Sequence, residues 1–362
     1  MTSLIRSIYR FLNGGILRYS KDLQKADIIA CLLSSYHIPI IDIQALSLGA
    51  DFSTNVYCGT TKSGQTYFVK VRKWNFQENS VRLLDFLHEN GVAHILPPIR
   101  TQDGNLWHQK DECFLTVFPY VKGVNGVEQP LTTAQFNEFG RMIKQVHSLT
   151  LSPTVDRRMK REEYSPHFSD RLSTILDTLD LFPDNGLRIE LILFLREKER
   201  ELRRVLTRTK HLRESILSDP PQTVICHADM HGWNLLVAED GGFFLVDWDE
   251  MLLAPKERDL MFIGSGIGGD ASGTPHQQAA FFAGYQPDHV RLDLIAYYRY
   301  ARIIEDIAIY CDVIFSGDLP GEELRQSLGY LISNFIPDGT IAKANKVYEQ
   351  VSFNSPAADR PD

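Results

Sequence analysis

The stretch VICHADMHGWNLLVAEDGGFFLVDWDE, residues 224–250, decides how the rest of the chain is read. Two short apolar runs bracket it, near 223–226 and 242–246, and both have the branched and aromatic composition of strands. An Ala-Glu-Asp-Gly-Gly turn lies between them. Polar residues fall where each run ends: His227, Asp229 and Asn234 after the first, Asp247 and Asp249 after the second. A strand end or a tight loop is where a scaffold presents a side chain rigidly.

That spacing has a chemical meaning. Moving a phosphoryl group requires a carboxylate to orient and deprotonate the attacking hydroxyl, and oxygen ligands for the magnesium ion that bridges the phosphates. His-x-Asp with Asn five positions beyond the Asp, and a second Asp on the next strand, is the arrangement of kinase catalytic loops. Asp229, Asn234 and Asp247 match it, with Ala228 in place of Arg and Asp-Trp-Asp in place of Asp-Phe-Gly. A lone His-x-Asp is common and reads as a hydrogen-bonded turn. The joint occurrence of all the polar positions between apolar runs points to function.

A phosphoryl transferase also needs a cation on the α- and β-phosphates. Lys70 closes the alternating run QTYFVKV and would be projected rigidly by a strand; its plain structural reading is a solvated edge lysine. Glu78, on the following helical segment, is the expected ion-pair partner. The loop LGADFSTN lacks a Gly-rich phosphate fingerprint, so phosphate contacts would come from backbone amides and from Ser53 or Asn55, a role a plain hairpin turn fits equally.

Working outward, the segment from about Leu46 to Val117 alternates as an antiparallel sheet does, with a Lys-Ser-Gly turn before Gln65 and a Gly-Asn turn inside HILPPIRTQDGNLWHQKDECFLTVFPYV. Residues 76–90 switch to helical spacing and interrupt it. Beyond Pro119 the period is helical over 132–149, 187–217, 290–313 and 321–335. This predicts an α+β chain divided into a residue 1–22 accessory helix, a 23–118 nucleotide-binding lobe with one helix, a 119–123 hinge, a 124–350 catalytic and acceptor-binding lobe, and a disordered 351–362 tail.

The composition fits a cytoplasmic globular protein. The chain has 362 residues, 43% of them hydrophobic and 23% charged, enough for two packed cores. A net charge of −8 speaks against a nucleic-acid partner and permits a cationic ligand. Five scattered cysteines without a Cys-x-x-Cys pair suggest neither a disulfide framework nor a zinc site. The basic amphipathic opening, MTSLIRSIYRFLNGGILRYSK, is too short in its apolar run to span a membrane; it would pack, fray or rest on a lipid surface.

On these residues the sequence resembles the aminoglycoside phosphotransferase family of small-molecule kinases and, within it, the spectinomycin phosphotransferases. The resemblance covers about residues 45–345 and is densest in CHADMHGWNLLV, DWDEMLLAPKERDLMFIGSG, YYRYARIIEDIAIY, GADFSTN and YFVKV. It implies a bilobal protein-kinase-like fold, with an N-terminal antiparallel sheet lobe and a mainly helical C-terminal lobe. It implies ATP and Mg2+ as cofactors, Asp229 as catalytic base or hydroxyl orienter, and Asn234 and Asp247 as metal ligands. Lys70 and Glu78 would grip ATP, and the backbone near Pro119 and Val121 would hold adenine.

The expected activity is transfer of the γ-phosphate to a hydroxyl of an aminoglycoside or aminocyclitol antibiotic such as spectinomycin. The alternatives are a kinase of another small hydroxylated metabolite, an amino alcohol or a sugar, and a silent nucleotide-binding protein. A protein kinase is disfavoured because no Ala-Pro-Glu segment follows Asp247. The stretch GIGGDASGTPHQQ departs from the family pattern and leaves the acceptor open. A cationic acceptor would want acidic lining, and Glu305 and Asp306 sit mid-helix among isoleucines; pairing with Arg299 or Arg302 on a solvated face explains them equally well. Asp259 reads as a structural cap or an Arg partner.

Overall fold

In the computed structural model, the described residues are 23–46, 54–73, 76–182, 186–268, 272–317 and 319–354. The expected accessory helix, Ser53 and residues 355–362 of the tail lie outside them. The chain divides into two compact units. The first takes the described residues of Met1–Leu131, Leu151–Met159 and Trp233–Met251, and the second those of Thr132–Thr150, Lys160–Gly232 and Leu252–Asp362.

The first unit is built on an antiparallel sheet of order β1-β2-β3-β5-β4. Its strands are β1 (Ile40–Ala45), β2 (Thr54–Thr61), β3 (Thr66–Arg72), β4 (His108–Lys110) and β5 (Cys113–Pro119). The Lys-Ser-Gly turn closes β2 onto β3 as expected, with Gly64 at φ 83° and its N–H donated to the Thr61 carbonyl. Alternation along β3 then sorts its side chains. Val69 and Val71 are buried with Leu115 and Val117 of β5 against Ile28 and Leu32. Lys70 and Arg72 therefore emerge on the other face. The helix expected at 76–90 spans Glu78–Glu89.

Besides β1, which precedes the expected start of the sheet near Leu46, two features depart from the sequence expectation. A further helix, Lys25–Tyr36, covers the Val69 face; apolar residues on several of its sides, including the exposed Leu33, hide its period. The run 94–107 was expected to supply strands, yet it forms none. Pro97 and Pro98 lack the N–H a ladder requires, and the hairpin instead turns at Asp111, between β4 and β5. The unit is completed by a small sheet, β6 (Gly123–Asn125), β8 (Leu235–Ala238) and β9 (Phe243–Leu245), in the order β6-β8-β9.

The second unit is mainly helical, around a two-stranded ribbon of β7 (Val224–Cys226) and β10 (Leu252–Ala254). Its central member is the Leu292–Ser316 helix, nearly all of whose apolar side chains are buried. Helices His167–Asp177, Leu187–Ser218, Gly321–Ser333 and Thr340–Asn354 pack on it. Helices Thr133–Ser148 and Pro275–Tyr285 approach closely at Gly140 and Gly284, where an added Cβ would lie 2.1 Å and 2.0 Å from the other helix's carbonyl oxygens. The helix Thr340–Asn354 takes the first four residues assigned to the disordered tail. No described helix is long and apolar enough to cross a membrane, and the five cysteines form no disulfide.

Candidate active site

In the second unit, β7 delivers the loop that carries Asp229. Immediately after Cys226 the backbone N–H groups of His227 and Ala228 donate to the two carboxylate oxygens of Asp259, at 2.9 Å and 2.7 Å. Asp259 is fully buried in the short Glu257–Leu260 helix and also meets His147 Nε2 at 3.1 Å. Burial works to raise its pKa, but His147 and the amide donors prevail and hold it below the ordinary carboxylate value. This clamp maintains Ala228 in the left-handed region, φ 69°, a conformation that costs free energy in a residue with a Cβ. Asp259 is neither the helix cap nor the Arg partner the sequence suggested: it lies inside the short helix, with loop amides and a histidine as partners.

His147, Cys226 and Asp259 place three potential metal-ligand atoms within 4.8 Å of one another. Those donors are already engaged: His147 Nδ1 with the Tyr285 hydroxyl at 2.9 Å, and Cys226 Sγ with the carbonyls of Ala254 and Pro255. The cluster is a hydrogen-bonded support for the loop.

Asp229 follows with only 6% of its surface exposed. Its Oδ1 accepts from Arg302 Nη1 at 2.7 Å, and its Oδ2 stands 3.1 Å from His231 Nε2, although no hydrogen bond forms there. Gly268 lies against His231, where a Cβ would come within 2.5 Å of the histidine's own Cβ. Arg302 is fully buried on the central helix and spans to Asp306, one turn on, at 3.2 Å and 3.3 Å. Burial alone would lower the guanidinium's pKa; Asp306 and Asp229 more than offset this and keep it charged. Arg299 instead donates to the carbonyls of Met261 and Ile263, and desolvation lowers it to about 10. Asp306 therefore pairs with Arg302 as one sequence reading held, but in the interior rather than on a solvated face. Glu305, beside it, is half-buried.

In the first unit, the β8–β9 hairpin brings Asn234 and Asp247 to neighbouring chain ends, with the N–H of Val246 donating to the Asn234 carbonyl at 2.9 Å. Asn234 is buried and Asp247 is 43% exposed, at φ 61°. An amide oxygen and an accessible carboxylate are the hard donors that Mg2+ takes, so this pair fits the ion the sequence implies. Lys70 Nζ lies 3.6 Å from Asp247 and 2.6 Å from Asp249. Arg72 Nη2 reaches the same Asp249 oxygen at 2.7 Å. Burial acts to raise the Asp249 pKa, but Lys70 and Arg72 together hold it far below the ordinary value.

The expected Lys70–Glu78 pair does not form. Glu78 lies in the first turn of its helix, 45% exposed, and binds Arg82 one turn on at 2.7 Å, while Lys70 is held by the two aspartates of the Asp-Trp-Asp turn. Asn55 sits in β2 opposite Val71, and Pro119 ends β5 opposite Tyr67 with the half-buried Val121 just beyond. Sequence reasoning assigned no role to Asp249 or Arg72. The alternation that singles out Lys70 also places Arg72 on its face, so that signal was present.

The description "phosphotransferase enzyme family" matches this chain over residues 42–295. None of the curated proteins matches it. Among solved structures, spectinomycin phosphotransferase in complex with ADP and spectinomycin is 28% identical and superposes with a TM-score of 0.82, covering 90% of this chain and 99% of that one. The AMP-bound complex of spectinomycin phosphotransferase gives 27% identity and a TM-score of 0.78, covering 94% and 100%. A microcompartment-associated aminopropanol kinase, 15% identical with a TM-score of 0.57 over 91% of this chain and 98% of that one, is similar in fold alone. The fold is the kinase-like one the sequence implied, with an antiparallel N-terminal sheet and a helical C-terminal region.

Proposed function

The chain belongs to the phosphotransferase enzyme family, and from that premise we propose that it transfers the γ-phosphate of ATP to a hydroxyl of an aminocyclitol antibiotic of the spectinomycin kind. The observation that carries this reading is the 28% identity to spectinomycin phosphotransferase over nine-tenths of the chain, together with a structured Asp229 loop of the kinase spacing.

Asp229 receives the acceptor hydroxyl, orients it toward the γ-phosphate and accepts its proton as the new ester bond forms. The bridging oxygen of ATP leaves with ADP. Asn234 and Asp247 would hold the magnesium, which neutralises charge on the phosphate oxygens when bound. Lys70 turns from Asp249 toward the α- and β-phosphates. Asn55 on β2 and Ser53, two positions earlier in the sequence, would steady the phosphates, and the backbone at Pro119 and Val121 would hold the adenine edge. On the acceptor side Glu305 is the carboxylate we assign to a cationic group.

Magnesium-dependent release of ADP from ATP, compared with spectinomycin, with other aminoglycosides and with no acceptor, tests the reading. Stimulation by spectinomycin is expected. Equal ADP release with and without every antibiotic would sink the antibiotic reading and turn the search to metabolite hydroxyls.

A further inference from the structure

Asp229 is gripped by a group that the kinase spacing does not predict. Arg302 comes from the middle of the central Leu292–Ser316 helix, far along the chain, and has no exposed side-chain surface. Its Nη1 is 2.7 Å from Asp229 Oδ1, its Nε serves Asp306, and the guanidinium lies 5.6 Å from the centroid of the buried Phe262 ring. Its Nη2 is buried without a hydrogen-bond partner among the described residues. Stability alone gives a poor reason for this arrangement. Removing a guanidinium from water carries a penalty that its paired carboxylates must first repay, and an apolar side chain of similar volume often serves a core as well or better. An unsatisfied buried N–H adds to that cost.

What the arrangement does provide is orientation. A planar guanidinium donates along fixed directions, and one anchored at Asp306 and backed by a ring has little freedom. Resting on the function proposed above, we infer that Arg302 is a positioning residue that fixes the rotation of the Asp229 carboxylate toward the acceptor hydroxyl, and that Asp306 anchors this clamp instead of gripping the acceptor. A carboxylate displaced by about 1 Å forfeits on the order of 100-fold in rate, which is the scale of effect at stake.

The test is steady-state kinetics with ATP and spectinomycin on the wild type, Arg302→Met, Arg302→Lys and Asp306→Asn, alongside thermal melting. Arg302→Met is expected to lower kcat by about 100-fold with the KM for ATP changed by less than about threefold. Arg302→Lys, which restores charge without the fork, is expected to recover part of the loss. Asp306→Asn is expected to lower kcat by roughly tenfold at unchanged KM for spectinomycin, whereas a residue binding the acceptor would raise KM instead. A folded Arg302→Met with wild-type kcat overturns the inference, as does an Asp306→Asn that changes only KM. Should Arg302→Met fail to fold, Arg302→Lys and Asp306→Asn decide by the same criteria.

Absence of any wild-type turnover with spectinomycin would instead count against the proposed function. The clamp would then be read by urea unfolding of Arg302→Met, Asp229→Asn and the double variant. Non-additive effects, with the double variant no less stable than Arg302→Met, are expected; additive effects overturn the clamp.

Discussion

Two carboxylate–cation contacts of nearly equal length, one in each unit, differ in what surrounds them. Lys70 and Asp249, 2.6 Å apart, are 21% and 25% exposed and sit on a strand and on the turn after β9. The side chains of Arg302 and Asp229, 2.7 Å apart, are 0% and 9% exposed and sit on the central helix and on a loop clamped from behind. Lysine is a single charge on a flexible stem, and in partial contact with water it changes partner at small cost. A guanidinium in the interior does not, because an uncompensated charge left there is expensive. The first contact suits a cation that must move from an aspartate to a phosphate. The second suits a carboxylate that must not move at all.

Substitutions can break this contrast in order of size. Asp229→Asn should lower kcat with spectinomycin by about 100- to 10,000-fold while leaving ATP binding close to wild type, as read by ADP release and nucleotide titration. Asp259→Ala should cost about 3–5 kcal/mol in urea unfolding, since it strands the buried amides of His227 and Ala228 together with His147. Lys70→Met should raise the KM for ATP by roughly tenfold, about 1.4 kcal/mol, without loss of folding, because only a partly exposed contact is lost.

The smallest effect is on acid stability. The carboxyl groups of Asp249 and Asp259 are held below their ordinary value, so their contribution is complete above the unfolded pKa and disappears as pH falls through the folded one. Melting temperature should therefore decline below about pH 4, and Asp249→Asn should flatten part of that decline. An unchanged acid limb in Asp249→Asn would show that this pair adds nothing to folding.

Local pattern accounts for much of the site. Asp229 and Asp247 follow the apolar runs that form β7 and β9, Asn234 immediately precedes the run that forms β8, and the Thr132/Gln135 capping box opens the helix expected from 132. The strand β1 escaped notice for a physical reason: its pairing register shifts between Ile40 and Asp42, which destroys the two-residue burial period. Partner choice was less legible still. Lys70 finds Asp249 across 179 residues, and Arg302 finds Asp229 across 73. Glu78 was the nearer and more plausible partner for Lys70 by sequence, yet an exposed carboxylate one helical turn from an arginine takes that neighbour first.

The most direct test of the central claim is the fate of the phosphoryl group, followed by 31P NMR of a mixture of the protein, magnesium, ATP and spectinomycin. A new phosphate monoester signal that grows with ADP, tracks the antibiotic and is missing with Asp229→Asn is the predicted result. Conversion of ATP to ADP and inorganic phosphate alone, or an ester that forms equally well with Asp229→Asn, would contradict the account.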